Sequence, residues 1–152
     1  MADIVLRISG PGLVAADALS LVERARIIKF SRAGDREFLS RQPSEVPGFN
    51  LQIAESETEP ASAIAEARAF VEAKLTDLLA LANRGADGEL DFGVYVDARG
   101  SGMKSTRLDP GFLELLARAR LTLCVTSYIV CDDDDDDETT EGDAALLPEP
   151  SG

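Results

Sequence analysis

The last 21 residues hold ten of the chain's 28 acids (seven in the run 132–138, then Glu141, Asp143 and Glu149) and none of its 15 bases. A segment this acidic repels itself, and with only Leu146 and Leu147 as large apolar residues it has no periodicity with which to join a core. The fold must therefore come from the first 131 residues, which are nearly neutral, with 15 bases against 18 acids. The net charge of −13 describes a tail, and bulk charge says little about what the body binds. Roughly 130 residues suffice for one core without metals or disulfides. The expected organisation is a single α+β domain over 1–131 and an acidic low-complexity tail over 132–152.

The chain has no histidine. That removes imidazole acid–base catalysis, Ser-His and Cys-His nucleophile pairs, and imidazole metal sites. Cys124 and Cys131 lie seven apart in one expected strand, so they point to opposite faces and cannot pair with each other. Two free thiols fit a reducing cytoplasm. Met1-Ala2-Asp3-Ile4 has no basic segment before its first apolar run, which argues against a secretory signal, and no stretch has the apolar length of a membrane span.

Hydrophobic period orders the elements. Residues 3–8 alternate, with Ile4, Leu6 and Ile8 on one face and Asp3, Val5 and Arg7 on the other, as in a strand with one buried side. Gly10-Pro11-Gly12 breaks it, and a helix is expected over about 13–25 with Val14, Ala18, Leu21 and Val22 as its stripe. Residues 26–32 read as a second strand with Ile28 and Phe30 inward, and 33–48 as a turn-rich segment with a short strand around 36–40. Phe49, Leu51 and Ile53 alternate with Asn50 and Gln52 in a third clear strand.

A long helix is expected from Pro60 to Arg84, with Pro60 in its first turn and Gly85 just past its end. Its stripe is Ile64, Ala67, Val71, Leu75, Leu78 and Ala82, with Phe70 and Leu79 beside it and Arg68 and Glu72 paired on the solvent side. The next strand sends Leu90, Phe92, Val94 and Val96 inward and Asp91, Tyr95 and Asp97 outward. After a loop over 99–107, Asp109 caps a third helix, Pro110 opens it and Leu108 is placed to staple onto Leu113. Residues 121–131 form the last strand; it is apolar or β-branched on both faces and is therefore placed centrally in the sheet. The expected fold is α+β, a ferredoxin-like sandwich with a mostly antiparallel sheet of about five strands and helices on one face.

Several short motifs occur in a familiar order: Leu-Arg-Ile-Ser-Gly at 6–10, Gly34-Asp35, Leu78-Leu79, Asp-Pro-Gly-Phe-Leu-Glu-Leu-Leu-Ala at 109–117, and Tyr128 near the end of the last strand before the acids. In this the chain resembles the bacterial family catalogued as domain of unknown function 4279, over about residues 3–131. The resemblance implies a fold and no activity. Tryptophans expected in the middle loop and third strand are absent.

Candidate chemistries are mostly eliminated by spacing. The acid run 132–138 lacks the glycine that a calcium loop needs at its sixth position, so it offers weak cation binding without fixed geometry, a solvating tail, or docking onto the basic stretch 24–41. That stretch (Arg24, Arg26, Lys29, Arg32, Arg36 and Arg41) interleaves only Phe30 and Phe38, too few aromatics for a nucleic-acid surface. Gly100-Ser101-Gly102 is followed by Met103-Lys104-Ser105, a partial echo of a phosphate loop, but the helix begins too late. Asp91 and Asp97 share a strand face about 20 Å apart, too far for concerted acid–base work. With no histidine to activate them, the two thiols read as inert.

What remains is the sheet's second face. If helices cover one side, Arg7, Asn50, Gln52, Asp91, Tyr95, Thr122, Thr126 and Tyr128 project from the other. Arg7, Asn50, Gln52, Tyr95 and Tyr128 are the candidate partner surface, with a second copy of the chain the first choice to cover it. No catalytic residue, metal set or cofactor is expected, and neither nucleic acid nor membrane is an expected partner. The expected function is a non-catalytic cytoplasmic protein-interaction module, of which an immunity-type protein that blocks a toxin is one concrete form. The alternative is a small-ligand-binding or catalytic domain using the loops near Gly34 and Gly100.

Overall fold

The computed structural model describes residues 2–22, 26–32, 45–57, 59–97 and 105–130. Clean alternation at the N-terminus gives strand β1 (Ala2–Ser9), which buries Ala2, Ile4, Leu6 and Ile8 and leaves Arg7 and Ser9 exposed. Gly10 ends it. A Cβ there would stand 2.7 Å from the Cα of Ala86, so the turn closes against that backbone only because the side chain is missing. Helix α1 (Ala15–Leu21) follows, shorter than its sequence stripe suggests. Leu13, Ala18 and Leu21 are buried, while Val14 is exposed at the N-cap, where its own side chain can accept nothing. Asp17 compensates, accepting the Val14 amide at 2.9 Å and an Arg84 guanidinium hydrogen at 2.5 Å. The Val14 amide holds this carboxyl below its ordinary 3.8; partial burial opposes that and Arg84 reinforces it.

Strands β2 (Arg26–Ser31) and β3 (Gly48–Ser56) pair antiparallel, with Phe30 facing Phe49. Phe49, Leu51 and Ile53 are buried as their alternation requires, and a bulge opposite Ile4 and Val5 buries Ala54 as well. The expected strand around 36–40 lies outside the described residues.

The single helix expected over 60–84 is two: α2 (Pro60–Ala73) and α3 (Leu75–Asn83). Lys74 separates them at φ −104° and ψ 10°, yet its amide still donates to Phe70 at 2.9 Å and its carbonyl accepts from Leu78 at 2.9 Å. The break lets α3 bury Leu78 and Leu81 in place of the Leu75–Ala82 line an unbroken helix would present. The Lys74 ammonium also donates to the Ser20 carbonyl at 3.1 Å, tying the break to α1.

Strand β4 (Asp87–Asp97) buries Leu90 and Phe92. Helix α4 (Pro110–Arg118) starts as read: Asp109 accepts the Phe112 amide at 3.1 Å and Pro110 opens the first turn. Leu108 packs against the core, whereas Leu113 is exposed. Strand β5 (Leu121–Val130) closes the order.

These strands make one open sheet in the order β2-β3-β1-β4-β5. It is mixed: β1 is antiparallel to β3 and β4, β2 is antiparallel to β3, and β4 runs parallel to β5. The class is α+β. Buried side chains of the four described helices join the inward residues of β1, β3 and β4 in one core. Contrary to the sequence reading, β5 is at the edge and not the centre among the described strands. Its two-sided apolar character misled because a helix layer reaches only part of it, leaving Val125 58% exposed.

Candidate functional site

Strand parity puts every second residue on the face opposite the core, and the registers bring those residues together. Arg7 faces Asn50 on one side and Glu89 on the other, and Val5 likewise lies between Gln52 and Asp91. Asp3 faces Gly93, and the parallel ladder sets Glu89 beside Thr122, Asp91 beside Cys124, Gly93 beside Thr126 and Tyr95 beside Tyr128. The expected surface residues Arg7, Asn50, Gln52, Tyr95 and Tyr128 thus share one face, together with Asp91, Thr122 and Thr126.

At the middle of this face lies an acid the sequence left in solvent. Asp91 is only 4% exposed. Arg7 donates through Nη2 to its Oδ2, and Thr126 donates through Oγ1 to its Oδ1 at 2.7 Å. Arg7 Nε also stands 3.9 Å from Glu89 Oε1. Burying a carboxylate is costly unless it is paired and hydrogen-bonded, and here both oxygens have a donor. A carboxylate so engaged fixes its partners' geometry. Beside it, Gln52 Nε2 donates to Asp3 Oδ1 at 2.9 Å, so this polar row is held by bonds within the face.

Toward β5 the face turns aromatic. The rings of Tyr95 and Tyr128 stack with centroids 5.2 Å apart and planes 24° apart. Tyr128 is 41% exposed, and its ring leans over Gly93. A Cβ on Gly93 would meet Tyr128 Cε2 at 3.1 Å and the Asp3 carbonyl at 3.2 Å. Loss of water raises the Tyr95 phenol above its usual range, and electrostatic repulsion from Asp3, Tyr128 and Glu55 adds to that. Cys124, half-buried, stands beside Asp91 on the parallel ladder, its Sγ 3.8 Å from Thr126 Oγ1.

Sequence reasoning missed the closure of Asp91 by Arg7 and Thr126, which depends on a parallel register no local pattern reveals. It also passed over Gly93, although a glycine inside a strand signals close approach of another group. Gly34, Gly100 and Cys131, the acid run, and Arg24, Arg36 and Arg41 of the basic stretch lie outside the described residues. On the helix layer a groove of about 440 Å³ runs between α2 and α4. Arg68, Glu72, Glu114 and Arg118 line it with balanced charge, and Arg68 is engaged by Glu72 at 3.2 Å and Asp109 at 3.4 Å.

No family model, curated protein or solved structure matches this chain. What the face can do is therefore set by its own residues: a stacked aromatic pair, half-buried at Tyr95 and exposed at Tyr128, beside a pre-ordered, hydrogen-bonded polar row. Among the described residues no helix is long and apolar enough to cross a membrane.

Proposed function

We propose that this chain is a non-catalytic cytoplasmic protein-interaction module whose contact surface is the helix-free face of the sheet. The observation that carries the reading is the stacked Tyr95–Tyr128 pair, with Tyr128 41% exposed on a face whose neighbouring polar groups are already bonded to one another. Aromatic side chains with few rotatable bonds, held before a partner arrives, lose little entropy on binding and bury large areas. The polar row contributes a rim that needs no rearrangement. An immunity-type protein that covers and blocks a toxin is one form such a module takes.

Affinity capture from native lysate, run in parallel with the wild type and with Tyr128→Asp, tests the reading. Proteins retained by the wild type and lost by the variant support it; an identical set from both contradicts it. Turnover of a generic ester, phosphodiester or peptide that a single carboxylate substitution abolishes would overturn the non-catalytic part.

We further infer that β1-α1-β2-β3-α2/α3-β4 is a ferredoxin-like split β-α-β unit extended by α4 and β5. The order β2-β3-β1-β4 with antiparallel neighbours supports this. Kinship with the family catalogued as domain of unknown function 4279 rests on the motifs at 6–10 and 109–117 and is proposed on those alone.

A further inference from the structure

The sheet's two edges differ. Strand β2 has six residues and a register shift between Ile27 and Lys29, and short or bulged edges of this kind discourage a second strand from pairing. Strand β5 has ten residues, Leu-Thr-Leu-Cys-Val-Thr-Ser-Tyr-Ile-Val, without a charge, a glycine or a proline. Among the described residues it pairs only with β4, so half of its backbone donors and acceptors face outward. Its exposed apolar groups lie on both faces: Val125, 58% exposed, on the helix side and Tyr128 on the other. A helix docked on one face would cover only one of these. An added β-strand covers both and completes the ladder.

We propose that β5 is the edge through which two copies of this chain join, antiparallel strand to strand, about a two-fold axis at Val125. Charge selects the second copy and the direction. The acid run 132–138 begins one residue beyond the end of β5, and Arg118 and Arg120 stand within the three residues before the strand's start, both exposed. Parallel pairing would set two runs of seven acids side by side. Antiparallel pairing carries each run to the end of the joined strands where the second copy's Arg118 and Arg120 stand. A two-fold axis normal to the sheet keeps both helix layers on the same side, so residues of equal parity must face each other. Val125 then meets its own copy, and Leu121 meets Ile129. Such an interface is self-complementary and closes, whereas β5 on β2 would propagate.

Sedimentation velocity at about 50 μM in low salt should show a dimer, a concentration at which a micromolar interface is mostly formed. Val125→Lys, placed where the side chain is already exposed, should give a folded monomer. Replacing Asp132 to Asp137 with Asn should weaken the dimer by about tenfold, as should raising the salt to about 0.5 M. In a chain with Cys124→Ser and Cys131→Ser, Val125→Cys should yield a covalent dimer on oxidation, because facing residues on paired strands lie within disulfide reach. A monomeric wild type, whether bare-edged or covered by its own chain, overturns the proposal. So does a dimer indifferent to Val125→Lys, or a Val125→Cys chain that forms no covalent dimer. The open face also spans β1 and β3, away from this edge, so a lysate partner lost on Gln52→Arg while the dimer persists reports on the face alone, and either reading can fail alone.

Discussion

Tyr128 lies flat against Tyr95 at 5.2 Å because the residue beneath its ring, Gly93, has no side chain. The aromatic pair is thus a property of three residues on two strands, fixed by the parallel register of β4 and β5. Replacing Gly93 with Ala adds a Cβ that the Tyr128 ring could escape by swinging outward, but the Asp3 carbonyl 3.2 Å away belongs to the backbone and cannot. Gly93→Ala should therefore lower stability by about 1–3 kcal/mol, the range of overpacked sites, and diminish the near-ultraviolet circular dichroism of the tyrosines. Unchanged spectrum and midpoint would contradict the stacking geometry.

The buried carboxylate gives a second expectation. Thr126→Val removes the donor to Asp91 Oδ1 while keeping the shape of the side chain. The stranded acceptor should cost about 1–3 kcal/mol in urea unfolding. Asp91→Asn in the Thr126→Val background should recover part of that loss, since the neutral amide is cheaper to bury. Additive losses from the two substitutions would show that they do not share one network.

Alternation made much of this legible. Ile4, Leu6, Phe49, Leu51, Leu90 and Phe92 declare their face by period two alone, and that fixes Arg7, Gln52, Tyr95 and Tyr128 on the other. Asp109 and Pro110 announced α4 because capping is chemistry within one turn. The break at Lys74 was invisible, since no proline or glycine marks it and both hydrogen bonds around it survive. The edge position of β5 was misread for a related reason: an apolar strand looks central when sequence cannot tell a covering helix from an uncovered edge. Asp91 was placed on the correct face but in water, because its burial comes from residues 84 and 35 positions away along the chain.

Two titrations carry signs that can be checked. The Asp17 carboxyl is lowered from 3.8 in the fold, so its contribution is present above that pH and is lost as pH falls through the folded value. Asp17→Asn should flatten the acid side of the thermal midpoint profile below about pH 4. The Tyr95 phenol is raised from 10.0, so its contribution is complete below that pH and is lost as pH rises through the folded value. Tyr95→Phe should make the midpoint less steep above about pH 10. Profiles unchanged by either substitution would contradict these assignments.

Gly10 offers a test of how β1 meets the end of α3. Its missing side chain leaves 2.7 Å to the Ala86 Cα and 3.0 Å to the Gly85 carbonyl. Both obstacles are backbone, so Gly10→Ala should cost at least as much as Gly93→Ala, about 1–3 kcal/mol or more, read as a drop in the urea midpoint. A neutral substitution would mean that the turn is free to move apart.

Position-specific photocrosslinking in the native cell would reveal whether the sheet face opposite the helices meets a protein, as proposed. A photoreactive phenylalanine analogue is placed in turn at Arg7, Gln52 and Tyr128 on that face, and at Leu19 and Leu113, exposed on the helix layer. A discrete crosslinked protein is expected from the three face positions and none from the two helix positions. Crosslinks from Leu19 and Leu113 alone, or from no position at all, would contradict it.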